Sequence, residues 1–229
     1  MENNLPRHVA IIPDGNRRWA KDKGLPHLKG HEVGAERMFQ IVDRLRDLGI
    51  RYASVWGFST DNWKRKDEEV LSLFQLLESW IINATPWAVE NKVRLRHIGR
   101  TQGLPDTLHR VIDEANELTK NNNDMTLNVA FNYSGRAEIV DAVNSLINTH
   151  SEDKIDESTF GNYLYTDSTP DVDLVIRTAG EYRLSNFMLW QTAYSEFYFV
   201  PIYWPDFDVN ELDKALETYN QRIRRLGGD

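Results

Sequence analysis

Short apolar runs alternate along the chain with longer segments in which apolar residues recur every three or four positions. The short runs predict β-strands, because a strand that is buried on both faces is apolar throughout, and the longer segments predict amphipathic helices. This alternation is typical of a single α/β domain with a mostly parallel sheet flanked by helices. We expect six strands, at residues 8–13, 50–58, 93–98, 125–133, 172–177 and 196–201. The expected helices lie at residues 31–48, 67–84, 106–120, 137–148, 156–164, 187–193 and 208–225.

The segment at residues 67–84 is more apolar than a surface helix requires. One helical face carries apolar residues at the usual spacing, and further apolar residues fall outside that face, so the helix should be buried on more than one side. It is either a central packing helix or subunit contact, or a helix that lines an apolar cavity with part of its surface. The regular face comprises Val70, Leu73, Phe74, Leu77, Trp80 and Ile81, and the additional residues are Leu71, Leu76 and Ile82.

The composition narrows the function classes. The chain has 229 residues, of which 41% are hydrophobic and 27% charged, as in an ordinary globular protein with a substantial core. The absence of cysteine excludes disulfides, thiolate metal sites and a cysteine nucleophile. The net charge of −8 argues against nucleic-acid binding, which requires a basic surface. No signal peptide and no apolar run of membrane-spanning length is visible, so we expect a cytoplasmic protein.

Three polar loops follow predicted strands and carry the residues that suggest chemistry. They comprise residues 14–18, 59–65 and 177–186, and Glu196 starts the strand after the third loop. Loops at the carboxyl ends of parallel strands share one edge of the sheet, where α/β proteins bind ligands. Arginine suits phosphate groups, and a carboxylate suits a magnesium ion bound to phosphate. Arg17, Arg18, Arg65, Arg177 and Arg183 carry enough charge for two diphosphate-sized anions, and Asp14, Glu181 and Glu196 are available for a metal ion.

Each loop also has a structural interpretation. Asp14 begins an Asp-Gly-Asn string that is a common turn signature. The other structural alternatives are core packing by Trp63, a surface ion pair between Glu181 and Arg183, and a charged strand edge at Glu196. The nucleotide-binding and hydrolase signatures GxGxxG, GK[ST] and GxSxG are absent from the sequence, so an anion site would belong to a different phosphate-binding family.

A set of residue strings extends over almost the whole chain. The strings are HVAIIPDGNRRWA at 8–20, GH at 30–31, FSTDNWKR at 58–65, NYSGR at 132–136, DLVIRTAGE at 173–181, RLSNF at 183–187, WQ at 190–191, EFYF at 196–199 and WPDF at 204–207. In these strings and their order the sequence resembles the cis-prenyltransferases, whose best-known members are the undecaprenyl diphosphate synthases.

The resemblance implies a single catalytic domain over residues 1–229, in which the α/β fold encloses a hydrophobic tunnel and forms a homodimer. It implies the sequential condensation of isopentenyl diphosphate with an allylic diphosphate such as farnesyl or geranylgeranyl diphosphate. The new double bonds would have Z geometry, and Mg²⁺ would be required. The protein would contact membranes peripherally when it releases its product, and nucleic acid is not an expected partner.

The resemblance also assigns roles to individual residues. Asp14 would be the central catalytic residue and a Mg²⁺ ligand, with Glu196 as a second metal-associated carboxylate. A diphosphate oxygen, or Asn62 with a water molecule, would accept the proton that the reaction releases. The allylic diphosphate would contact Gly15, Asn16, Arg17, Arg18, Trp19 and His31, and Ser59, Thr60, Asp61, Trp63 and Arg65 would form the second substrate-binding loop. Isopentenyl diphosphate would contact Arg177, Arg183, Leu184 and Ser185, while Arg225, Leu226 and Gly227 resemble a motif that reaches towards a partner's active site.

Two positions depart from the family pattern. Many members have an arginine just before the Gly-His string, whereas this chain has His27, so either His27 or Lys29 would supply that substrate contact. Many bacterial members have a histidine after the glutamate of the third loop, where this chain has Tyr182, and no metal role is assigned there. Two other classes stand as alternatives, a non-catalytic subunit that supports an active partner and a phosphate-ester hydrolase. The non-catalytic subunits tend to lose the first-loop Asp and Arg, which this chain retains.

Overall fold

A six-stranded, fully parallel sheet forms the centre of the protein, whose computed structural model describes residues 5–149 and 154–222. The strands are β1 (His8–Ile12), β2 (Tyr52–Ser59), β3 (Val93–Ile98), β4 (Met125–Tyr133), β5 (Leu174–Arg177) and β6 (Glu196–Phe199). They lie in the order β3-β4-β2-β1-β5-β6. The α/β class and the six strands predicted from the hydrophobic pattern are confirmed.

The chain changes direction across the sheet at β1. It moves outward from β1 towards β3 on one side and later returns to place β5 on the other side of β1. At such a topological switch point a crevice opens outside the carboxyl ends of the strands, because the adjoining connections leave in opposite directions. Ile12 and Arg177 are register partners at the ends of β1 and β5, so the first and third polar loops start side by side.

The described residues form seven α-helices, and none of these helices is long and apolar enough to cross a membrane. Two of them are longer than predicted, because α2 begins at residue 27 and α3 continues through Pro86 to residue 90. The last helix ends at residue 220, and the end of its predicted range at 225 lies outside the described residues. The helices are α1 (Asn16–Asp22), α2 (His27–Asp47), α3 (Asp67–Glu90), α4 (Asp106–Thr119), α5 (Gly135–Asn148), α6 (Glu157–Gly161) and α7 (Val209–Asn220).

The prediction of a helix at residues 187–193 is wrong, because this stretch forms a series of turns. Asn186 and Met188 have φ values of 71° and 45°, in the left-handed region that interrupts a right-handed helix. Asn186 is held there by α5, since its carbonyl accepts a hydrogen bond from Gly135 N–H at 2.8 Å and its Oδ1 accepts one from Arg136 N–H at 2.9 Å. These tertiary hydrogen bonds override the local helix propensity.

Apolar cores lie on both faces of the sheet. The larger core joins α2, α3, α4 and α7 to the sheet and includes Ile41, Phe74, Leu108 and Leu212. The smaller core on the opposite face joins β1 and β5 to the buried side chains Phe187 and Met188 of the irregular turns. The polar loops at the carboxyl edge therefore stand on strands that are buried on both sides, which gives them a rigid base.

A chain of buried hydrogen bonds crosses the sheet near its amino edge. His8, Ser54 and Asn128 lie on β1, β2 and β4 and are fully buried. Ser54 Oγ lies 2.8 Å from His8 Nε2 and accepts a hydrogen bond from Asn128 Nδ2 at 3.0 Å. His8 Nδ1 lies 2.7 Å from the carbonyl oxygen of Pro170, which can only accept, so the proton resides on Nδ1. Burial lowers the pKa of His8 to about 4, which keeps the imidazole neutral at neutral pH.

We expect His8 to make the protein less stable in mild acid. The pKa of His8 is about 4 in the folded protein against an ordinary value of 6.5, so the unfolded chain binds more protons between these two values. The free energy of unfolding should fall as pH decreases through this window, by up to about 1.4 kcal/mol per pH unit. Urea unfolding across the window should show a shallower pH dependence for His8→Gln than for the unchanged protein.

The half-buried His109 on α4 provides a matched control. His109→Gln should retain the steep pH dependence of the unchanged protein. If His8→Gln retained it as well, the assignment of His8 as a buried neutral group would be contradicted.

Candidate active site

A carboxylate and two arginines join the first polar loop to the third. Asp14 follows β1, and Arg177 ends the neighbouring strand β5. Arg177 donates from Nη2 to Asp14 Oδ2 at 2.9 Å, and Arg18 donates from Nη2 to Asp14 Oδ1 at 3.1 Å. The side chain of Arg177 is only 4% exposed, so its charge depends on this carboxylate for compensation. The fold thus brings these three predicted site residues together.

The third loop folds over the guanidinium group of Arg177. Arg177 Nη1 donates to the backbone carbonyl of Arg183 and, at 2.8 Å, to Ser185 Oγ. Glu181 accepts a hydrogen bond from Arg18 Nη1 at 3.1 Å and also pairs with Arg183. Ser185 has a φ of 51°, a left-handed conformation that few non-glycine residues adopt. Backbone strain of this kind is typical of functional sites, where the surrounding contacts maintain it.

Asp14 is ionised at neutral pH and is held in place by its backbone. Burial alone would raise the pKa of Asp14, but the hydrogen bonds and positive charges of Arg177 and Arg18 outweigh burial and lower the pKa below its ordinary value. The backbone carbonyl of Asp14 accepts hydrogen bonds from Thr178 Oγ1 at 2.7 Å and from Trp204 N–H at 3.0 Å. A fixed negative charge between guanidinium groups therefore stands at the carboxyl edge of the sheet.

The second polar loop forms a 3₁₀ turn at Thr60–Lys64 that is closed by its own side chains. Asn62 Oδ1 accepts a hydrogen bond from Ser59 N–H at 2.9 Å, and Ser59 Oγ accepts one from Asp61 N–H at 3.1 Å. Asp61 is exposed and pairs with Lys64 Nζ at 2.7 Å. This capping box fixes the Asn62 amide, because its oxygen is engaged by the backbone.

The two tryptophans named as site residues support the loops by their packing. Trp63 donates from Nε1 to Asn132 Oδ1 at 2.8 Å, and its ring packs edge-on against Phe74 with centroids 5.3 Å apart. Trp19 is buried and donates from Nε1 to Asp206 Oδ1 at 2.8 Å. These contacts give both side chains a structural function, and their contact with substrate stays a prediction.

A second charged cluster forms between the first loop, the second loop and α3. Glu69 accepts a hydrogen bond from Arg65 Nη1 at 3.0 Å and lies 3.7 Å from Arg17 Nε. Burial lowers the pKa of Arg65, and the nearby charge of Arg17 adds to that effect, while the carboxylate of Glu69 opposes it. Glu69 therefore holds two arginines of different loops side by side.

Two histidines adjoin this cluster in different surroundings. His27 is exposed, and its Nδ1 accepts a hydrogen bond from Arg17 Nε at 3.3 Å. Lys29 is the other candidate for the substrate contact that an arginine supplies in many family members, but its Nζ pairs with Glu32 at 2.9 Å. Burial lowers the pKa of His31 to about 4, and the neighbouring arginine charges act in the same direction, so His31 is neutral at neutral pH.

Helix α2 approaches α1 closely because two glycines, one turn apart, face α1. A Cβ atom at Gly30 would lie 2.1 Å from the carbonyl oxygen of Asn16, and one at Gly34 would lie 2.4 Å from Asn16 Oδ1. Trp204 donates from Nε1 to the carbonyl oxygen of Gly34 at 2.8 Å, which closes the same contact from the other side. Gly15 precedes α1 with a φ of 102°, a conformation that side-chain-bearing residues rarely adopt. The position of the first loop thus depends on one glycine within the loop and on two glycines of α2 that pack against it.

An apolar cavity of about 370 Å³ opens beneath the three loops. Polar residues of all three loops and His31 form its mouth, and α2, α3, β2 and β4 form its interior. The interpretation that α3 lines an apolar cavity is therefore confirmed, although Leu71 and Ile82 are exposed on its outer side. The cavity-lining side chains of α3 are Leu73, Leu76, Leu77 and Trp80.

The size of this cavity suits an apolar tail. An apolar cavity of about 150 Å³ holds one benzene molecule. This cavity, at about 370 Å³, has more than twice that volume. The mouth and interior together therefore fit a molecule with a strongly anionic head and an apolar tail.

Three buried polar atoms at the mouth have no hydrogen-bond partner among the described residues. They are Asn16 Oδ1, His31 Nε2 and Arg177 Nε. All three residues line the cavity. Because buried polar groups are nearly always hydrogen-bonded, these atoms indicate where a bound polar ligand would make contacts.

Glu196 lies at the opposite edge of the sheet from Asp14. It begins β6 in register with Leu174, the first residue of β5, whereas Arg177 ends that strand. Grouping Glu196 with the carboxyl-edge loops is wrong, because in a parallel sheet a residue that begins a strand lies at the amino edge. The carboxylate of Glu196 accepts a hydrogen bond from Arg222 Nη1 at 2.6 Å. Its metal role stays a prediction, and the fold of a single chain does not bring it to Asp14.

Two further residues that were predicted to contact substrate have structural positions in the loops. Leu184 packs on the smaller apolar core, where it supports the third loop. Thr60 opens the 3₁₀ turn at the end of β2. The cavity lining does not include either side chain, so their contact with substrate stays a prediction.

Three side chains that the sequence did not single out organise the site. Glu69 binds two arginines, Thr178 holds the Asp14 backbone, and Asp206 anchors Trp19. Glu69 has a recognisable signal, because it lies four residues after Arg65 at the start of a helix, where carboxylates and i,i+4 ion pairs are favourable. Thr178 and Asp206 act through contacts over more than 160 residues of sequence, which no local pattern indicates.

Asp14 fits a metal ion that arrives with its substrate. Within residues 5–149 and 154–222 there is no group of three His, Cys, Asp or Glu side chains that could hold a metal ion by itself. Mg²⁺ commonly binds one or two protein carboxylates and completes its coordination with phosphate oxygens and water. An ionised carboxylate beside arginines that attract phosphate is a donor set of that kind.

The sequence is similar over nearly its full length to proteins that transfer isoprenyl groups. The family model for undecaprenyl diphosphate synthases matches residues 12–227. An isoprenyl transferase of Fusobacterium nucleatum is 50% identical, covering 100% of this chain and 98% of the relative. A ditrans,polycis-undecaprenyl-diphosphate synthase of Micrococcus luteus, specific for (2E,6E)-farnesyl diphosphate, is 42% identical over 98% of this chain and 92% of its own. The crystal structure of lavandulyl diphosphate synthase from Lavandula x intermedia with dimethylallyl diphosphate superposes with a TM-score of 0.92 at 37% identity, covering 96% of this chain and 97% of that one.

We expect Gly34→Ala to destabilise the protein through the contact between α1 and α2. The new methyl group would overlap Asn16 Oδ1 and lie 3.0 Å from Trp204 Cδ1, in a region with little freedom to move. Overpacking of this kind costs about 1–3 kcal/mol. Urea unfolding should show the loss as a lower midpoint with an unchanged slope.

Gly161 at the end of α6 is the matched control, because a Cβ atom there would meet nothing within 4 Å. Gly161→Ala should leave the midpoint unchanged or raise it slightly. A Gly34→Ala protein as stable as the Gly161→Ala protein would show that α2 does not depend on this close approach.

Proposed function

The chain belongs to the cis-prenyltransferase family, which includes the undecaprenyl diphosphate synthases, and from that premise we propose its reaction and substrates. It condenses isopentenyl diphosphate sequentially with an allylic diphosphate, such as farnesyl or geranylgeranyl diphosphate. The reaction requires Mg²⁺, and each added unit carries a Z double bond, so the product is a Z-configured polyprenyl diphosphate.

One observation carries this proposal, namely that an arginine-rich mouth opens directly into an apolar cavity. Asp14, Arg65, Arg177 and His31 line the same cavity as the apolar side chains of α3. A phosphate-ester hydrolase has no need for an apolar volume of this size next to its anion site. A prenyl diphosphate requires both features, because its head is highly charged and its tail gains about 0.8 kcal/mol for every CH₂ group that it buries.

The two sides of the mouth suit two different diphosphates. We place the allylic diphosphate at the first loop, where Arg17 and Arg18 supply charge and the unpartnered Nε2 of His31 supplies a polar contact. The neutral state of His31 lets this residue form a hydrogen bond without an added charge.

We place isopentenyl diphosphate at the third loop. Arg177 and Arg183 supply charge there, and Ser185 lies within hydrogen-bond distance of Arg177. Holding the two substrates on either side of Asp14 turns a bimolecular encounter into an oriented one, which by itself lowers the barrier substantially.

Asp14 would hold the metal ion together with the diphosphate oxygens of the allylic substrate. When bound, Mg²⁺ supplies positive charge that stabilises the departing diphosphate. Arg18 and Arg177, which now pair with Asp14, remain close enough to share that stabilisation. In the proposed reaction the allylic C–O bond breaks, a new C–C bond forms to isopentenyl C4, and the isopentenyl unit loses a proton. A diphosphate oxygen, or a water molecule beside Asn62, accepts that proton.

Exposed apolar side chains support the proposal of a homodimer. Val140 and Val143 are 53% and 43% exposed and lie one turn apart on α5. Strand β6 forms one edge of the sheet, and its Phe197 and Phe199 are half-buried. Exposed apolar surface of this kind is typical of an interface. Light scattering that gives the mass of a single chain in solution would contradict the dimer.

Several other expectations stay predictions. The C-terminal string Arg225, Leu226 and Gly227, which resembles a motif that reaches a partner's active site, lies outside the described residues. A cytoplasmic location stays a prediction from the sequence, and peripheral membrane contact during product release stays a prediction from the family resemblance. The domain assignment of residues 1–229 as one catalytic unit has the same basis.

We expect purified protein to incorporate labelled isopentenyl diphosphate into extractable prenyl product when Mg²⁺ and an allylic primer are present. Chelation of the metal with EDTA should abolish incorporation, and added Mg²⁺ should restore it. Absence of product with both farnesyl and geranylgeranyl diphosphate would contradict the proposal. Incorporation only after a second prenyltransferase chain is added would favour the alternative of a non-catalytic subunit.

We expect Asp14→Asn to lower turnover by at least about 100-fold, the usual effect of removing one transition-state contact. The amide keeps an oxygen that can accept from Arg177, so circular dichroism should show the same fold, although the unfolding midpoint should fall because the buried charge of Arg177 is no longer compensated. Asp213→Asn is a matched control, because Asp213 pairs with Arg44 between α7 and α2 outside the cavity. Turnover of Asp14→Asn equal to that of Asp213→Asn would refute the role of Asp14.

A further inference from the structure

A short segment at residues 202–204, which we call the bridging segment, joins the first polar loop to the third. The carbonyl oxygen of Ile202 accepts a hydrogen bond from Ala179 N–H at 2.8 Å, and Trp204 N–H donates to the carbonyl oxygen of Asp14 at 3.0 Å. Tyr203 lies between these two contacts, so its backbone is fixed on both sides. The bridging segment therefore holds the Tyr203 side chain beside the first loop.

The side chain of Tyr203 packs against the backbone of Gly15. A Cβ atom at Gly15 would lie 2.7 Å from Tyr203 Cδ1 and 3.1 Å from Tyr203 Cβ, so the ring lies directly against the loop. The hydrogen bond with Asp22, at the end of α1, raises the pKa of Tyr203, and the phenol is uncharged at neutral pH. Contacts at both ends of the side chain therefore hold the ring in one place.

The ring of Tyr203 also contacts the guanidinium group of Arg18. Arg18 Cζ lies over the ring, 5.6 Å from its centroid, which is within the range of a cation–π contact. Such a contact uses the charge of the guanidinium group and does not require any of its five N–H donors. Arg18 makes three hydrogen bonds, to Asp14, Glu181 and the carbonyl oxygen of Ala179. Donors therefore remain for a ligand while the ring supports the group.

Arg18 benefits from this support because its main carboxylate partner has other commitments. Its side chain is 42% exposed, and a long side chain loses rotamer freedom when it is held in one geometry. Asp14 also pairs with Arg177, and in the proposed reaction it holds the metal ion. A ligand that draws Arg18 away from Asp14 leaves the ring contact intact, because that contact uses no N–H donor.

We propose that Tyr203 is a positioning residue that holds the Arg18 guanidinium group ready for the diphosphate of the allylic substrate. This inference rests on the proposed prenyl transfer and adds to it a residue that acts through Arg18. A side chain that is held in its ligand-binding geometry before the ligand arrives raises affinity, because less ordering entropy is lost on binding. Tyr203 should therefore affect the allylic substrate and not isopentenyl diphosphate, which we place at the third loop.

Two substitutions of Tyr203 test the role of its aromatic face. Tyr203→Leu removes the face but keeps an apolar side chain against Gly15. The dissociation constant for farnesyl diphosphate, measured by titration without isopentenyl diphosphate, should rise about 2- to 5-fold, the usual effect of a partly exposed cation–π contact. Tyr203→Phe keeps the face and should bind like the unchanged protein. Equal losses in both variants, or no loss in Tyr203→Leu, would overturn the proposal. Tyr203→Met replaces Tyr203→Leu if thermal unfolding shows that the leucine variant does not fold.

Tyr52 provides a matched control at the opposite edge of the sheet. Its ring centroid lies 5.6 Å from Arg7 Cζ, the same distance as in the pair at the first loop, and Tyr52 begins β2 at the amino edge. Tyr52→Leu should leave the affinity for farnesyl diphosphate unchanged. A loss equal to that of Tyr203→Leu would show that the affinity responds to a general loss of packing, which would overturn the proposal.

A double-variant cycle separates positioning from packing. In an Arg18→Gln background the guanidinium group is absent, so Tyr203→Leu should cause no further loss of affinity if Tyr203 acts through Arg18. The same loss in both backgrounds would assign Tyr203 to packing against Gly15 alone and would contradict its role as a positioning residue.

Steady-state kinetics separates this inference from the proposed reaction. In Tyr203→Leu the KM for the allylic primer should rise, while the KM for isopentenyl diphosphate should stay that of the unchanged protein. Equal rises in both KM values would contradict a specific effect on the allylic site. The expected differences in binding without turnover in the unchanged protein would contradict only the proposed reaction. Normal turnover with equal affinities in all variants would contradict only the role of Tyr203.

Discussion

The buried guanidinium group of Arg177 is the constraint on which the site depends. A charge that is removed from water must be paired and hydrogen-bonded, because its desolvation otherwise costs several kcal/mol. Asp14, Ser185 and the carbonyl of Arg183 meet that requirement. Satisfying it joins the end of β1 to the end of β5 and bends the third loop into its left-handed conformation. The same contacts keep Asp14 ionised, so one ion pair both stabilises the loops and maintains the charged carboxylate of the site.

The charged mouth and the apolar cavity are coupled because one helix serves both. The first turn of α3 carries Glu69, which holds Arg17 and Arg65 together, and the helix then turns apolar side chains inward as far as Trp80. Eleven residues separate Glu69 from Trp80, which corresponds to about 16 Å of helix. The polar and apolar ends of a bound prenyl diphosphate are therefore matched by one rigid element. The close packing of α1 on Gly30 and Gly34 positions α2, which forms the opposite wall of the cavity.

The hydrophobic pattern was sufficient to predict most of the fold, but it failed where contacts between residues far apart in sequence determine the local structure. The six strands follow from apolar runs, since strands buried on both faces have few alternatives. The turns at 187–193 could not be predicted, because hydrogen bonds from the start of α5 impose left-handed φ values on residues with ordinary helix propensity. Glu196 was grouped with the wrong edge for a different reason. Its position at the start of a strand indicated the amino edge of the sheet. Glu196 was nevertheless grouped with the carboxyl-edge loops, because it is close to the third loop in sequence.

The sequence by itself determined the fold class, the three polar loops and the family, because periodicity, turn residues and residue strings are local properties of a chain. It also indicated that the helix at 67–84 had more apolar surface than one face could bury. Only the tertiary structure decided that Asp14 lies between Arg18 and Arg177, that Glu69 binds two arginines, and that the inner face of α3 lines a cavity. The physical reason is that charge compensation and empty volume depend on which side chains meet across the fold. Asp14 and Arg177 are 163 residues apart in sequence, and their contact exists only once β1 and β5 are paired.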